Sequence, residues 1–274
     1  MQEPTLTFFD NPIINSPYDA PNRHWELMDN VPTNRIVEQR RKAEYITPIA
    51  RVKRNHASVA QGAFDFGDSD DIAIDADDKQ RYQYTIINRI REAVKEWRNL
   101  PESSWCVTPE TARLLRHWRD PKFKGRRPFF CQVEAVEVYI WLTEVAPNYA
   151  QGKEILKYLL KANEDASGDG ANAIYRTALK LATGAGKTTV MAMIIAWQTI
   201  NAVRSPSSKK FTNGFLVITP GITIKDRLQE LKPSDLNSIY TKQGLIPVEF
   251  SHDIKRRRSS SRTITPSSCV KNSN

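Results

Sequence analysis

The segment Leu181–Thr188, with the sequence LATGAGKT, limits the possible folds of this chain more than any other. The apolar stretch Ala173–Leu181 before it predicts a buried strand, and the apolar stretch Thr189–Trp197 after it predicts a helix. A glycine-rich loop that joins a strand to a helix and ends in Gly-Lys-Thr is typical of a phosphate-binding P-loop. Leu181 stands where the usual pattern has glycine, so the strict pattern fails at its first position. The alternative is a simple glycine turn before a core helix.

The chemistry expected of this loop is the binding of ATP with Mg²⁺. Gly184 and Gly186 allow a tight backbone turn that points successive N–H groups into one cavity. The helix that begins near Lys187 adds unpaired N–H groups and the positive end of its dipole. We expect Lys187 to reach the β- and γ-phosphates and the Thr188 hydroxyl to ligate Mg²⁺. The predicted nucleotide contacts in the loop are Thr183, Gly184, Ala185, Gly186, Lys187, Thr188 and Thr189.

Length and composition exclude several classes of protein. The chain has 274 residues, of which 40% are hydrophobic, enough for one large domain or two modest ones. It has no apolar run of about 18 residues, and its first residues lack the basic and apolar regions of a secretory signal. Cys106, Cys131 and Cys269 form no CxxC pair, which argues against a zinc site or a disulfide framework. These features predict a cytoplasmic protein that does not contact a membrane.

The net charge of +9 is distributed unevenly. Positive charge on an ATP-binding protein favours a polyanionic partner, while the alternative for any one charge cluster is solvated surface. Two basic clusters flank an acidic segment at 65–78. The first consists of Arg40, Arg41, Lys42, Arg51, Lys53 and Arg54, and the second of Arg113, Arg116, Arg119, Lys122, Lys124, Arg126 and Arg127.

The pattern along the chain predicts an α/β fold in which helices precede a P-loop domain. Prolines punctuate residues 1–80, which predicts an irregular region with a flexible acidic loop at 65–78. Residues 81–125 are predicted to be helical, and residues 251–274 to be a disordered basic tail. Apolar spacing and end signals predict helices at 81–98, from Thr108 onward, at 132–145, at 151–163 and at 222–231, and a short buried strand at 215–219. Two consecutive strand–helix units predict a parallel sheet.

Three segments match helicase motifs in the expected order. Ala182–Thr188 is similar to motif I, Leu216–Gly221 (LVITPG) to motif Ia, and Arg127–Val136 (RPFFCQVEAV) to the Q-motif. Together they resemble the ATP-dependent Res subunit of type III restriction–modification systems, a member of helicase superfamily two and a relative of the DEAD/DEAH-box proteins. Asn15–Trp25 and Val107–Trp118 are similar to one Res-like subgroup, so the resemblance covers roughly residues 12–250.

The resemblance implies a fold, ligands and partners. It implies that residues 126–250 form a partial first RecA-like, helicase ATP-binding domain with a parallel sheet. It implies that Gln132 reads the adenine edge, with Phe129 or Phe130 beside it. The family's DNA-backbone contacts fall on Thr219, Pro220 and Gly221. Double-stranded DNA is the implied partner, and a DNA methyltransferase (Mod-like) subunit is a second candidate.

The sequence also departs from the family. No Asp-Glu-x-His or Asp-Glu-Ala-Asp box follows residue 188, and neither a second RecA-like domain nor a nuclease constellation is found. We therefore expect an N-terminal fragment of an ATP-dependent DNA helicase/translocase-type restriction endonuclease subunit. Such a fragment binds ATP and DNA, has no assigned catalytic residue and cannot by itself hydrolyse ATP or cleave DNA. The alternative is a non-catalytic DNA- or partner-binding remnant. A small-molecule kinase is disfavoured because no arginine-rich lid lies between Lys187 and the tail.

A few individual residues have a simple structural interpretation. Trp25 and Trp118 are predicted to be packing anchors rather than base-stacking platforms. Glu134 and Glu137, on the helix that carries the Q-motif, are predicted to be solvated carboxylates. The four histidines lie in no metal-ligand spacing, so no metal role is expected of them.

Overall fold

The structure is a computed structural model that mixes helices with small sheets. It divides into two compact units, one made of residues 1–14 and 21–93 and the other of residues 15–20 and 94–274. The residues that it describes are 7–29, 31–48, 79–83, 85–165, 175–219, 222–235, 237–256 and 258–263.

The first unit contains two antiparallel strand pairs. β1 (His24–Met28) pairs with β2 (Val31–Val37), and β3 (Glu44–Pro48) pairs with β4 (Lys79–Gln83). On β1, Trp25 is 6% exposed and meets the ring of Phe8 edge-on, with the ring centroids 5.9 Å apart. The prediction that Trp25 is a packing anchor is therefore confirmed.

These strands differ from the expectation that residues 1–80 are irregular. Pro32 lies in β2, and Pro48 is the last residue of β3. Proline is tolerated on an edge strand and at a strand end, because no ladder N–H is needed from it there. The prolines therefore did not exclude strands. The acidic segment 65–78 and the basic residues of 51–54 lie outside the described residues.

α1 (Thr85–Arg98) begins later than the predicted start at 81. Residues 81–83 belong to β4, where main-chain pairing with β3 replaces the first turn of the expected helix. The predicted apolar face (Ile86, Ile87, Ile90, Val94 and Trp97) is confirmed for its C-terminal part, where Ile90, Val94 and Trp97 are each at most 7% exposed. It is wrong for Ile87, which is 38% exposed.

Four further helices form the core of the second unit. They are α2 (Pro109–Arg119), α3 (Phe130–Ile140), α4 (Ala150–Asp165) and α5 (Lys187–Arg204), and the helices predicted there are confirmed. The Thr108 hydroxyl accepts a hydrogen bond from the N–H of Thr111 (3.2 Å) and so caps α2 as expected. Trp118 is 1% exposed, which confirms it as a packing anchor.

None of the helices in the described part of the chain could cross a membrane, since none is both long and apolar enough.

α3 carries a buried ion pair that the sequence did not reveal. The prediction that Glu137 is solvated is wrong, because its side chain is fully buried. The Nε of Arg98 donates to its carboxylate at 2.8 Å and the Nε of Arg119 at 2.7 Å. Two guanidinium groups can compensate the cost of burying one carboxylate. Arg119 therefore faces inward and is not part of an exposed basic cluster.

The C-terminal part of the second unit contains one pair of parallel strands. β5 (Gly214–Thr219) pairs with β6 (Arg258–Thr263), and the short helices α6 (Ile222–Arg227), α7 (Ile239–Lys242) and α8 (Ser251–Lys255) lie between them in the chain. The predicted strand is confirmed. The helix predicted at 222–231 is confirmed only over 222–227, because Leu228–Leu231 form a 3₁₀ turn. The predicted burial of the strand is wrong, because Leu216 is 58% and Ile218 is 53% exposed. A sheet of two strands leaves one face uncovered, and no larger RecA-like sheet is present among the described residues.

Part of the expected tail is regular. α8 and β6 lie between residues 251 and 263, whereas residues 264–274 lie outside the described part. The ladder with β5 uses main-chain groups, so it forms without the apolar periodicity that a search of the sequence requires.

The expected strand before the P-loop is not formed in its described portion. Residues 175–182 have no regular secondary structure and are mostly exposed, while 173 and 174 lie outside the described residues. The side chain of Asn163, on α4, accepts from the N–H of Arg176 (2.9 Å) and donates to its carbonyl (3.2 Å). These are the two main-chain groups that a strand ladder would have used.

Candidate functional site

The backbone of the segment predicted to be a P-loop turns at its two glycines. Gly184 has a φ of 81° and Gly186 a φ of 76°, in the left-handed region that favours glycine. The N–H of Ala185 donates to the carbonyl of Ala182 (3.3 Å) and closes the turn. A Cβ built on Gly184 would meet no atom within 4 Å. The loop therefore borders open space that a phosphate group can enter.

α5 begins directly after this loop. Gly186 is its N-cap residue, and no side chain within the described residues caps this end. The first-turn N–H groups and the helix dipole can therefore attract an anion. The Nζ of Lys187 donates to the carbonyl of Ala182 at 2.8 Å, so the ammonium group is folded back over the loop. A bound phosphate would compete with that carbonyl for the ammonium group.

Gln132 connects the beginning of α3 to the P-loop. Its Oε1 accepts from the N–H of Phe129 (2.9 Å), which fixes the amide, and its Nε2 donates to the carbonyl of Ala185 (2.8 Å). The side chain is 5% exposed. A Cβ on Gly186 would lie 2.2 Å from Nε2, so this contact requires glycine at 186. The structure thus brings together the two motifs that the sequence places about fifty residues apart.

An aromatic and basic group lies beside Gln132. The rings of Tyr18 and Phe129 are 5.7 Å apart, and the Arg127 guanidinium lies over the Tyr18 ring at 4.8 Å. The N–H of Phe130 donates to the carbonyl of Pro17 (2.8 Å), which attaches the segment around Tyr18 to the beginning of α3. Phe129 lines the cleft at the P-loop, whereas the ring of Phe130 lies under the guanidinium of Arg98. Phe129 is therefore the better placed of the two phenylalanines expected near adenine.

The cleft is bordered by the glycine loop, by the beginning of α3 and, on a third side, by the segment after β5. Ile239 and Gln243 line the cleft on this side, and the Thr189 hydroxyl donates to Gln243 at 3.4 Å. The carbonyl of Leu245 accepts from the indole of Trp118 (2.8 Å), which ties this segment to α2. The cleft so enclosed has a volume of about 240 Å³. Its lining consists of Arg126, Arg127, Phe129, Gln132, Gly184, Gly186, Thr188, Thr189, Glu230, Ile239 and Gln243.

Most of the residues predicted to bind nucleotide meet at this cleft. Ala185 and Lys187 take part through the hydrogen bonds already described, while Thr183 is exposed on the loop. Thr219, at the end of β5, is 3% exposed, and Pro220 and Gly221 lie outside the described residues. The predicted contacts of these three residues with DNA stay a prediction.

Sequence reasoning missed Tyr18, Glu230 and Gln243 as residues near the site. Tyr18 lies within Asn15–Trp25, so the resemblance of that segment to one subgroup was a usable signal. Glu230 and Gln243 had no local signal, because only tertiary packing brings them to the P-loop.

The side chains that line the cleft fit an Mg²⁺ ion that is held mainly by the phosphates of a nucleotide. The described residues contain no group of three or more His, Cys, Asp or Glu side chains that could hold a metal. Mg²⁺ usually keeps several waters and is bound through one or two carboxylates together with substrate phosphates. Among the residues that line this cleft, Thr188 carries a hydroxyl and Glu230 a carboxyl, both of which are oxygen donors of the kind that Mg²⁺ takes.

A free cysteine lies beside the site. Burial raises the pKa of Cys131, next to Gln132, although main-chain hydrogen bonds oppose the rise. Since the thiolate is the nucleophilic form, this cysteine is disfavoured as a nucleophile.

The second basic cluster is divided between several environments. Arg116 pairs with Glu102 at 3.3 Å, and Arg126 lines the cleft. Lys122, Lys124 and Arg126 are exposed on the loop between α2 and α3. Arg126 and Arg127 are the members of this cluster that line the cleft beside Gly184 and Gly186.

Comparisons with protein-family models, with curated proteins and with solved structures gave no match to this chain. The arguments about function therefore rest on the motifs and on the geometry of the cleft.

Proposed function

We propose that the chain binds ATP with Mg²⁺ in the cleft between α3 and the P-loop. The observation that carries this proposal is the hydrogen bond from Gln132 to Ala185, because it joins a purine-reading amide to a phosphate-binding loop. The open space beside Gly184 supports it.

The amide of Gln132 has the capacity to read adenine. Its Oε1 has two lone pairs, of which Phe129 uses one, and its Nε2 has two N–H groups, of which Ala185 uses one. One acceptor and one donor are left, which matches the amino group and ring nitrogen at an adenine edge. Phe129 offers an aromatic ring beside them.

The phosphate end would be held by α5 and Lys187. The uncapped N-terminus of α5 supplies N–H groups and the positive end of the helix dipole. Lys187 would exchange the carbonyl of Ala182 for the β- and γ-phosphates, and Thr188 would contribute its hydroxyl to Mg²⁺. Bound Mg²⁺ would neutralise phosphate charge. Because the sequence has no Asp-Glu box after residue 188, we propose binding without turnover.

The test of this proposal is calorimetric titration of the purified chain with Mg·ATP. Lys187→Ala should weaken binding by at least about tenfold, because a charge-assisted hydrogen bond contributes about 1.5–3 kcal/mol. Lys209→Ala, which changes an exposed lysine after α5, is the matched control and should bind as the parent does. Equal affinities for the parent and for Lys187→Ala would contradict the proposal.

The wider role we propose is that of the ATP-binding part of a type III restriction translocase, in the cytoplasm. Its partners would be double-stranded DNA and a Mod-like methyltransferase subunit. The exposed Lys122, Lys124 and Arg126 support a polyanionic partner. They equally support the second candidate, a DNA- or partner-binding module without catalysis.

Salt dependence tests the DNA contact. The logarithm of the affinity for duplex DNA should fall steeply with the logarithm of salt concentration. Replacing Lys122 and Lys124 together with alanine should reduce that slope by about 2, since each lysine neutralises one phosphate. Binding that does not change with salt would exclude DNA phosphates as the ligand of this loop. DNA-stimulated ATP turnover would contradict the proposed binding without turnover, and it would exclude the non-catalytic candidate as well.

A further inference from the structure

Glu230 is a carboxylate that no motif assigns to the cleft. It lies in the 3₁₀ turn Leu228–Leu231, which follows α6. Its neighbour Leu231 is 1% exposed, so the turn is anchored in the core. Glu230 itself is half-buried and lines the cleft together with Thr188 and Gly186.

Glu230 differs from the two buried glutamates of this unit. Glu137 is held by two arginines, and Glu144 accepts hydrogen bonds from a main-chain N–H, a hydroxyl and an indole. No hydrogen bond or ion pair joins Glu230 to any described residue. Arg126 and Arg127 line the same cleft, and neither forms an ion pair with it.

A carboxylate in this position has an electrostatic consequence. A triphosphate in the cleft would be repelled by Glu230 unless a cation lay between them. Mg²⁺ takes oxygen ligands from one or two carboxylates and from phosphates. Thr188 and Glu230 supply a hydroxyl and a carboxylate from two separate walls of the cleft.

We propose that Glu230 is the protein carboxylate that holds the Mg²⁺ of the bound nucleotide, directly or through a metal-bound water, together with the hydroxyl of Thr188. This inference rests on the proposed binding of ATP. It gives the cleft an acidic metal ligand at a place in the chain different from the Asp-Glu box that the sequence lacks.

The test compares ATP binding with excess Mg²⁺ and with EDTA. In the parent chain, Mg²⁺ should strengthen binding. Glu230→Gln should lose at least about tenfold of that gain, because the metal loses its carboxylate. The same variant should bind metal-free ATP more tightly than the parent does, because the repulsion is removed. Glu249→Gln, at an exposed glutamate outside the cleft, is the matched control.

Three outcomes of this titration would overturn the inference. An equal gain from Mg²⁺ in the parent and in Glu230→Gln would overturn the inference. A loss of the same size with and without Mg²⁺ would also overturn it, because Glu230 would then contact the nucleotide itself. A parent chain that binds no ATP under either condition would refute the proposed function, and this inference would fall with it.

A spectroscopic measurement separates loss of the metal ligand from loss of the fold. Electron paramagnetic resonance of Mn²⁺, added to the ATP complex, reports bound and free metal directly. Glu230→Gln should leave more Mn²⁺ free than the parent and the Glu249→Gln control do, while its thermal unfolding followed by circular dichroism stays cooperative. Equal free Mn²⁺ in the three proteins would contradict the assignment.

Discussion

At the scale of single residues, the contact between Gln132 and the P-loop depends on the absence of a side chain at Gly186. A Cβ there would lie 2.2 Å from the Gln132 amide nitrogen, whereas a Cβ on Gly184 would meet nothing within 4 Å. Both glycines have a positive φ. Comparing substitutions at Gly184 and Gly186 therefore separates the cost of backbone strain from the cost of losing the contact with Gln132.

This difference leads to a prediction for two alanine variants. Gly184→Ala and Gly186→Ala should each lose roughly 1–2 kcal/mol from the left-handed backbone. Gly186→Ala should lose more, because its methyl group displaces Gln132, and its affinity for ATP should fall further. Urea unfolding gives the free energies, and titration with Mg·ATP gives the affinities. Equal losses in the two variants would show that Gln132 does not pack on Gly186.

The residues of the site were predictable to the extent that local motifs encode them. Thr183–Thr189 were predicted from the glycine-rich loop, and Gln132 from the resemblance of its segment to the Q-motif. Tyr18 and Glu230 approach the same cleft from distant parts of the chain. Their positions depend on packing, such as the burial of Leu231, that no short pattern in the sequence records.

At the scale of elements, a buried carboxylate joins three helices. Glu144 lies in the π-helical turn Trp141–Val145 that continues α3, and it is 4% exposed. Its carboxylate accepts from the N–H of Thr108 (2.8 Å), the hydroxyl of Thr111 (2.7 Å) and the indole of Trp197 (2.9 Å). α2 and α5, the helix that follows the glycine loop, thus both donate hydrogen bonds to the one carboxylate of Glu144.

Stability should therefore depend on pH through Glu144. Burial raises the pKa of Glu144 above the ordinary glutamate value of 4.5, although the three hydrogen bonds oppose the rise. A group whose pKa is higher in the folded chain than in the unfolded chain favours folding below the unfolded pKa. That stabilisation is lost as the pH rises through the folded pKa.

The measurement is the free energy of unfolding in urea at about pH 3.5 and about pH 8. The parent should lose stability relative to Glu144→Gln as the pH rises, by about 1.4 kcal/mol for each pH unit that separates the two pKa values. Glu249→Gln should follow the parent, since that glutamate is exposed. The same pH dependence in the parent and in Glu144→Gln would rule out this carboxyl as the cause.

The elements themselves divide into those that local sequence encodes and those that it does not. α2 was predicted from Thr108 and Pro109, and α5 from its apolar run, because caps and periodicity are local. The strand expected at 173–181 depends on a partner, and Asn163 takes the main-chain groups of Arg176 instead. β6 depends on pairing with β5, which its own sequence does not indicate.

At the scale of the whole molecule, the sheet is smaller than the α/β prediction implied. The parallel pair β5–β6 leaves Leu216 and Ile218 more than half exposed. The mixture of helix and sheet is confirmed, whereas a RecA-like sheet is not found among the described residues. Sheet size depends on long-range pairing, which periodicity along the chain does not record. The cleft beside Gly184 and Gly186 depends instead on helix packing and on the glycine loop.

The measurement that tests this cleft most directly is the affinity of the parent, Gln132→Ala and Lys187→Ala for Mg·ATP and Mg·GTP. If Gln132 and the P-loop form one site, Lys187→Ala should weaken both nucleotides by at least about tenfold. Gln132→Ala should weaken the binding of ATP alone and bring the two affinities together. Guanine carries a carbonyl oxygen where adenine carries the 6-amino group that this amide would read. A parent that does not distinguish ATP from GTP, or a Gln132→Ala variant that keeps the preference of the parent, would contradict a site shared by the two motifs.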